Sequence, residues 1–343
     1  MPTTISGRSN VAEISVRVEN QLNAVAEEVS ALIAVVRPIL QGLLMALKSE
    51  VVAQAGGVQN VPLFMLPRLY RPGDGDCGIC FEYAVHDAIT RNDPTVLERV
   101  SESMRRHCNV PGNRPASILF GAEKSGSLQL IATAAEILTD NSRLLTGAQA
   151  QPPKLKPYLN QLAAAFRRPT TRAALPWSIS GLWKADLFLG NLDSDRWVGT
   201  TVKINRAHLE AARGLRIGIV PAAHGRDDRV QFDEAKNLVI CPLPYDGEFM
   251  ELFYHAWGIV QQFMAADAQV PREVALPAPT HRVVASILAA RRNFPVLDVI
   301  EALRPLAQPE LLQTDEEDQG RELIGTEAPI VDTLIAPVSR TMQ

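Results

Sequence analysis

Apolar residues recur at steps of three and four near the start of the chain: Ile14, Val18, Leu22, Val25, Val29, Leu32 and Val36. That spacing is one face of an α-helix, and it predicts helical structure over residues 11–54. Pro38 lies inside the run. A proline within a helix removes a backbone hydrogen bond and crowds the preceding turn, so the segment is expected to split into two helices. The apolar stripe needs a partner, either the chain's own core or another subunit. A loop, Arg71-Pro-Gly-Asp-Gly-Asp76, leads into a second helical stretch that begins near Cys77 and runs through Phe81, Ala84, Val85 and Ala88. Residues 109–127 collect Gly, Pro, Asn and Ser and read as loop, with a short strand at Ser117–Phe120. Residues 128–147 look helical. Residues 151–176 open on prolines and carry a basic cluster, which reads as an insertion.

From Trp177 the period changes. Ala185–Leu189 is a short strand, Asn191–Asp195 a polar turn, and Arg196–Ile204 a second strand, so the pair forms a hairpin. A short helix is expected at 206–213. Leu215–Val220 and Leu238–Pro242 read as buried strands, and a helix follows from Gly247 to about Ala265. Strand, helix and strand at this spacing imply parallel pairing through a crossover. The fold class is therefore α/β, of mixed α+β character, with a central mixed sheet flanked by helices.

Charge and cysteine content narrow the reading. The 343 residues are 46% hydrophobic and 21% charged, with a net charge of −4, so any nucleic-acid contact must come from local basic patches. Candidates are Arg105, Arg106, Arg167, Arg168 and Arg172, with Arg291-Arg292 as a further pair. Cys77 and Cys80 form one C-x-x-C; Cys108 and Cys241 stand alone. A zinc site wants a second ligand pair, so reduced thiols of a cytoplasmic protein are expected. The N-terminus lacks the plan of a signal peptide. Arg37-Pro38 interrupts the apolar run Val29–Leu47, so no membrane span is expected.

The chemistry centres on the hairpin. Phosphodiester cleavage is served by a divalent cation held by oxygen ligands and by a positive side chain near the developing charge. Side chains two apart on a strand share a face, so Thr201 and Lys203 point the same way and Asp186 on the neighbouring strand can face them. The segments Lys184-Ala-Asp-Leu-Phe-Leu-Gly190 and Trp197-Val-Gly-Thr-Thr-Val-Lys203, followed by the Leu215–Val220 strand, resemble the PD-(D/E)xK, or restriction-endonuclease-like, nuclease superfamily. Gly78-Ile-Cys-Phe-Glu82 and the residues after it look like that family's first helix. The resemblance implies such a core over residues 69–268, with the insertion at about 109–176. An N-terminal helical extension, 1–68, would precede it, and a C-terminal helical segment with an acidic tail, 269–343, would follow.

It also implies a site. Asp186 would be the central metal ligand, the Val202 carbonyl a second, and Glu82 a third, direct or through water. Lys203 would orient the attacking water or steady the transition state. The metal would be Mg²⁺ or Mn²⁺ and the substrate nucleic acid, DNA ahead of RNA, in a bacterial or phage restriction or defence setting. Thr201 departs from the pattern, since the family usually carries Glu or Asp there. Glu210, on the expected following helix, is the candidate replacement. If nothing replaces that acid, the fold would serve as a non-catalytic scaffold or nucleic-acid-binding subunit, and the N-terminal helices would offer a surface for a second copy or a partner subunit.

One competing signal remains. Asp74-Gly-Asp-Cys-Gly78 resembles the nucleophile segment of OTU-type cysteine peptidases, with Cys77 at a helix N-terminus that would lower its pKa. A base would have to come from His224 or His255. Gly73, Gly75 and Gly78 also satisfy G-x-G-x-x-G, but no surrounding βαβ unit supports a dinucleotide site. Trp183 and Trp197 flank the hairpin and are expected in the core.

Overall fold

The computed structural model describes residues 25–69, 76–121, 134, 136–147, 151–223, 228–245, 247–270 and 275–307. The longer helices among them are α1 (Glu27–Met45), α2 (Asp76–Thr90), α3 (Pro94–Glu102), α4 (Leu159–Arg167), α5 (Gly247–Ala265), α6 (Pro279–Ala290) and α7 (Val296–Leu303). The strands are β1 (Pro115–Leu119), β2 (Arg143–Leu144), β3 (Leu187–Asn191), β4 (Arg196–Val202), β5 (Leu215–Pro221), β6 (Gln231–Asp233) and β7 (Leu238–Leu243).

The strands form one mixed sheet in the order β1-β3-β4-β5-β7-β6, with β2 added beside β4. β1, β3 and β4 are an antiparallel meander; β4, β5 and β7 run parallel; β6 returns antiparallel to β7. The mixed α and β architecture is the one expected. The connection from β4 to β5 is not: residues 206–213 form no α-helix, only a 3-10 turn at Arg206–His208. The helix propensity of Ala207, Ala211 and Ala212 is overridden by a short link closed at Gly214, where φ is +93°.

Alternation along each strand builds two cores. Leu187, Leu189, Val198, Val202, Ile217 and Ile219 point into a large cluster shared with α1, α2, α5, α6 and α7. Phe188, Trp197, Val220, Leu238 and Ile240 point the other way, against Leu162, Leu182 and Leu209. The 151–176 segment, expected as an insertion, thus supplies the cover for the second face. Both faces are dry, which is why the central strands read as near-continuous apolar runs.

α1 corrects the expectation at Pro38. The helix runs unbroken from Glu27 to Met45 with Pro38 inside it. A buried helix can absorb the cost of one lost hydrogen bond, roughly 3 kcal/mol, because Ile33, Val35, Val36, Ile39 and Leu40 are all fully buried. α1 is also long and apolar enough to cross a membrane, yet 72% of that apolar window is buried inside the fold. It packs against α2, α5, α6 and α7. Residues 11–24 of the expected helical segment, residues 128–133 and 135, and the acidic tail lie outside the described residues. The helix expected at 128–147 is corrected, because residues 138–147 turn away from helix and pair as β2 (Arg143–Leu144) with β4.

A small clasp closes the helical layer. Pro62 and Pro295 form an isolated antiparallel bridge. Around it Leu63 N donates to Phe294 O, Val296 N to Val61 O (both 2.9 Å) and Phe64 N to Arg292 O (2.8 Å). Arg37 Nε donates to Ile300 O at 3.0 Å.

Candidate active site

Three strand ends meet at one edge of the sheet. β1 ends at Leu119 and continues to Gly121; Asp186 immediately precedes β3; Thr201, Val202 and Lys203 close β4. This is also the carboxyl end of the parallel strands β4, β5 and β7, where open α/β sheets gather their ligands. The backbone of Asp186 is clamped on both sides: its N–H donates to Thr200 O (2.8 Å) and its carbonyl accepts from Gly121 N (2.7 Å). Lys203 is held to β5 through its own N–H, which donates to Ile219 O at 3.0 Å.

The side chains converge. Asp186 Oδ2 accepts from Thr201 Oγ1 (2.9 Å), Val202 N (2.9 Å) and Lys203 Nζ (2.8 Å). Glu82, from the middle of α2, lies across from them with Oε1 4.0 Å from Lys203 Nζ. The carboxyl groups are deeply placed, with side-chain exposures of 10% for Glu82 and 6% for Asp186, while Lys203 keeps 34%. Burial by itself would lower the Lys203 pKa; the charges of Asp186 and Glu82 outweigh it and hold the ammonium above its ordinary value. Val202 directs its N–H to Asp186. A strand residue's carbonyl lies on the same side as its N–H, so Val202 C=O faces the same edge.

Gly121 makes room for Glu82. A Cβ built there would collide with Glu82 Oε2. The glycine therefore lets a carboxylate on α2 lie against the chain that carries Asp186, a role the sequence did not advertise.

Of the other expected members, Thr201 joins this cluster and Glu210 sits at its margin. Thr201 is buried and donates its hydroxyl to Asp186, which orients the carboxylate without adding charge. Glu210 is not on a helix. It is 68% exposed and ion-paired with Lys184 Nζ; that hydrogen bond and charge pull its carboxyl below its ordinary pKa. Its charge also reaches Lys203 and helps to hold that ammonium protonated. Among the described residues no group of three or more His, Cys, Asp or Glu side chains is placed to hold a metal ion. His86, one turn beyond Glu82, instead sits with Nδ1 3.0 Å from Ser117 Oγ. Burial pushes its pKa down to about 4, so it is neutral near pH 7. Compared with family models, curated proteins and solved structures, the chain matches none.

The arginines separate into two regions. Arg105 and Arg106 follow α3 in a π-turn, and Arg106 pairs with Glu102 on the surface (3.3 Å). Arg167, Arg168 and Arg172 lie at and after the end of α4, on the segment that leads to the hairpin. Arg291 donates to Ile287 O within its own helix end. Trp197 is core as expected, with no exposed surface. Trp183 is only partly buried, a correction, with Arg172 stacked 3.8 Å from its ring centre.

None of the four cysteines forms a disulfide. Cys77 is the second residue of α2; Cys80 is buried and its thiol reaches Ile39 O at 3.7 Å. Burial pushes Cys108 up to about 11 and Cys241 up to about 12, which makes both inert as nucleophiles. Of the histidines considered as a base for Cys77, His255 neighbours His281 (ring centres 5.2 Å apart), and His224 lies outside the described residues, as do Gly73 and Gly75.

Proposed function

We propose that the protein is a metal-dependent nuclease of the PD-(D/E)xK kind that hydrolyses phosphodiester bonds, in DNA ahead of RNA, as part of a cytoplasmic restriction or defence system. The observation that carries this reading is the meeting of Glu82, Asp186 and Lys203 at one strand end, although they come from separate parts of the chain.

The donor set suits a hard divalent cation. Two buried carboxyl groups and the Val202 carbonyl are oxygen ligands of the type Mg²⁺ and Mn²⁺ prefer. Glu82, Asp186 and the Val202 carbonyl would hold the metal. A bound cation there supplies an acidified water and polarises the phosphate. The chain's own groups divide the remaining work. Thr201 and the Val202 N–H fix the Asp186 carboxylate. Lys203, charged and only partly buried, offers its ammonium to a phosphoryl oxygen as negative charge grows in the transition state.

The test is cleavage of plasmid and single-stranded DNA with Mg²⁺ or Mn²⁺. Asp186→Ala and Lys203→Ala should each lower the rate at least about a hundredfold. Unchanged cleavage in both variants would sink the assignment.

One observation favours a second reading, a nuclease-fold scaffold or nucleic-acid-binding subunit without turnover. Asp186 Oδ2 is already served by three donors, and Thr201 brings a hydroxyl where the family carries an acid. That reading expects binding without cutting, and metal-dependent turnover by the wild type eliminates it.

A further inference from the structure

The stretch between residues 151 and 185 carries six basic residues, Lys154, Lys156, Arg167, Arg168, Arg172 and Lys184, and no acidic one. In a chain of net charge −4 that is a marked segregation. The same stretch holds two tryptophans on consecutive 3-10 turns, Trp177–Ile179 and Leu182–Lys184. Trp177 is 68% exposed, which leaves a large aromatic face open to a ligand. Each ring is backed by a cation. Arg213 Cζ lies 4.3 Å from the centre of the Trp177 ring. Arg172 Cζ lies 3.8 Å from Trp183, and Lys184 Nζ 5.4 Å. Phe166, 43% exposed, lies beside Trp183 with ring centres 6.4 Å apart.

The turns are seated firmly. Gly181 N donates to Arg213 O at 3.1 Å, and a Cβ at Gly181 would press on the Arg213 backbone. Arg172 is steadied by its Nε donating to Ala165 O at 2.9 Å. Lys184 is two residues from Asp186, so their Cα atoms are no more than about 7 Å apart. The ledge therefore runs into the Glu82–Asp186–Lys203 site. Two acids face the stretch: Glu210, paired with Lys184, and Asp140, 3.2 Å from Lys156 Nζ at its far end.

We propose that this ledge binds a single-stranded polynucleotide and leads it to the site, with Trp177 and Trp183 as base platforms and Arg172, Arg213 and Lys184 as phosphate contacts. This rests on the nuclease reading for the direction of travel but not for the binding. Alternating rings and cations match what each nucleotide of a single strand presents, a base face and a phosphate. A duplex keeps its base faces stacked away, and an acidic peptide has no use for the rings.

The experiment is anisotropy of labelled oligo-dT and oligo-U in EDTA, with duplex DNA and poly-glutamate as competitors. Wild type should prefer the single strands, and the tighter of the two names the natural sugar. Trp177→Ala, at an exposed position that carries little folding energy, should weaken that binding about tenfold or more, and Trp177→Phe should recover most of it. Arg172→Ala should reduce the salt slope by about one. Oligonucleotide binding unchanged in Trp177→Ala, or equal binding of duplex or poly-glutamate by the wild type, overturns the ledge. Binding is read without metal, so its loss is separable from a failure of the cleavage test: Trp177-dependent binding without metal-dependent cutting retains the ledge and discards the nuclease.

Discussion

At the scale of single residues, the sheet edge is tuned by groups the family pattern does not mention. Gly121 is the clearest. An alanine Cβ there would displace the Glu82 carboxylate, so Gly121→Ala should lower the proposed metal-dependent cleavage with little change in the helical signal by circular dichroism. Thr201→Glu would add the acid that the pattern expects. Without metal it sets a third carboxylate beside Asp186 and should destabilise the fold by about 1–3 kcal/mol. Saturating Mg²⁺ should recover much of that loss in a thermal melt, and wild type should respond less. Thr200, one residue earlier, faces the large core, and its buried hydroxyl has no hydrogen-bond partner among the described residues. Thr200→Val keeps the shape and removes the unsatisfied group, so it should raise stability by about 1 kcal/mol. His86 sets a pH dependence. Its folded-state pKa is depressed to about 4 from 6.5, so the unfolded chain binds the proton more readily between those values. Stability is therefore full above about pH 6.5 and falls as pH drops toward 4, by about 2 kcal/mol once partial solvation is allowed for. Melting His86→Gln alongside wild type across that range checks it: the variant should lose most of the slope.

At the scale of elements, sequence patterns located the strands well and their connections poorly. β3, β4, β5 and β7 were legible because dry strands between two helical layers are continuous apolar runs, and α5 fits its expected span from Gly247 to Ala265. The helix expected at 206–213 failed because Leu209 and Ala212 dock on the second core from a short link, and tertiary closure at Gly214 won. Pro38 misled for the opposite reason: burial around α1 outweighs a local defect. Asp186 and Lys203 were legible from their spacing on a hairpin. Glu82 came from the family likeness, since a glutamate in a helix gives no local sign of where the helix will dock. The partly exposed state of Trp183 was invisible, because hydrophobicity alone cannot distinguish a core ring from a platform. For α1 the expectation is direct. Leu40→Ala, at a fully buried position, should cost about 2–5 kcal/mol. It should do so in a single transition monitored by both tryptophan fluorescence and circular dichroism, because the helix shares one core with the sheet.

At the scale of the whole molecule, the two sheet faces have different duties. One face buries the long helices and sets stability; the other lies under the basic, aromatic segment and borders the candidate site. Substitutions beneath α1 should thus change melting temperature with little effect on oligonucleotide affinity, and substitutions at Trp177 or Arg213 the reverse. The Pro62–Pro295 clasp belongs to the first duty. Its two short stretches are antiparallel, so tension on the flanks that lead to residues 25 and 307 tugs both from the same side. Hydrogen bonds loaded that way break in succession, as a zip opens, rather than sharing the load. The clasp sets where the early and late helices meet, yet it adds little resistance to mechanical extraction by an unfolding motor.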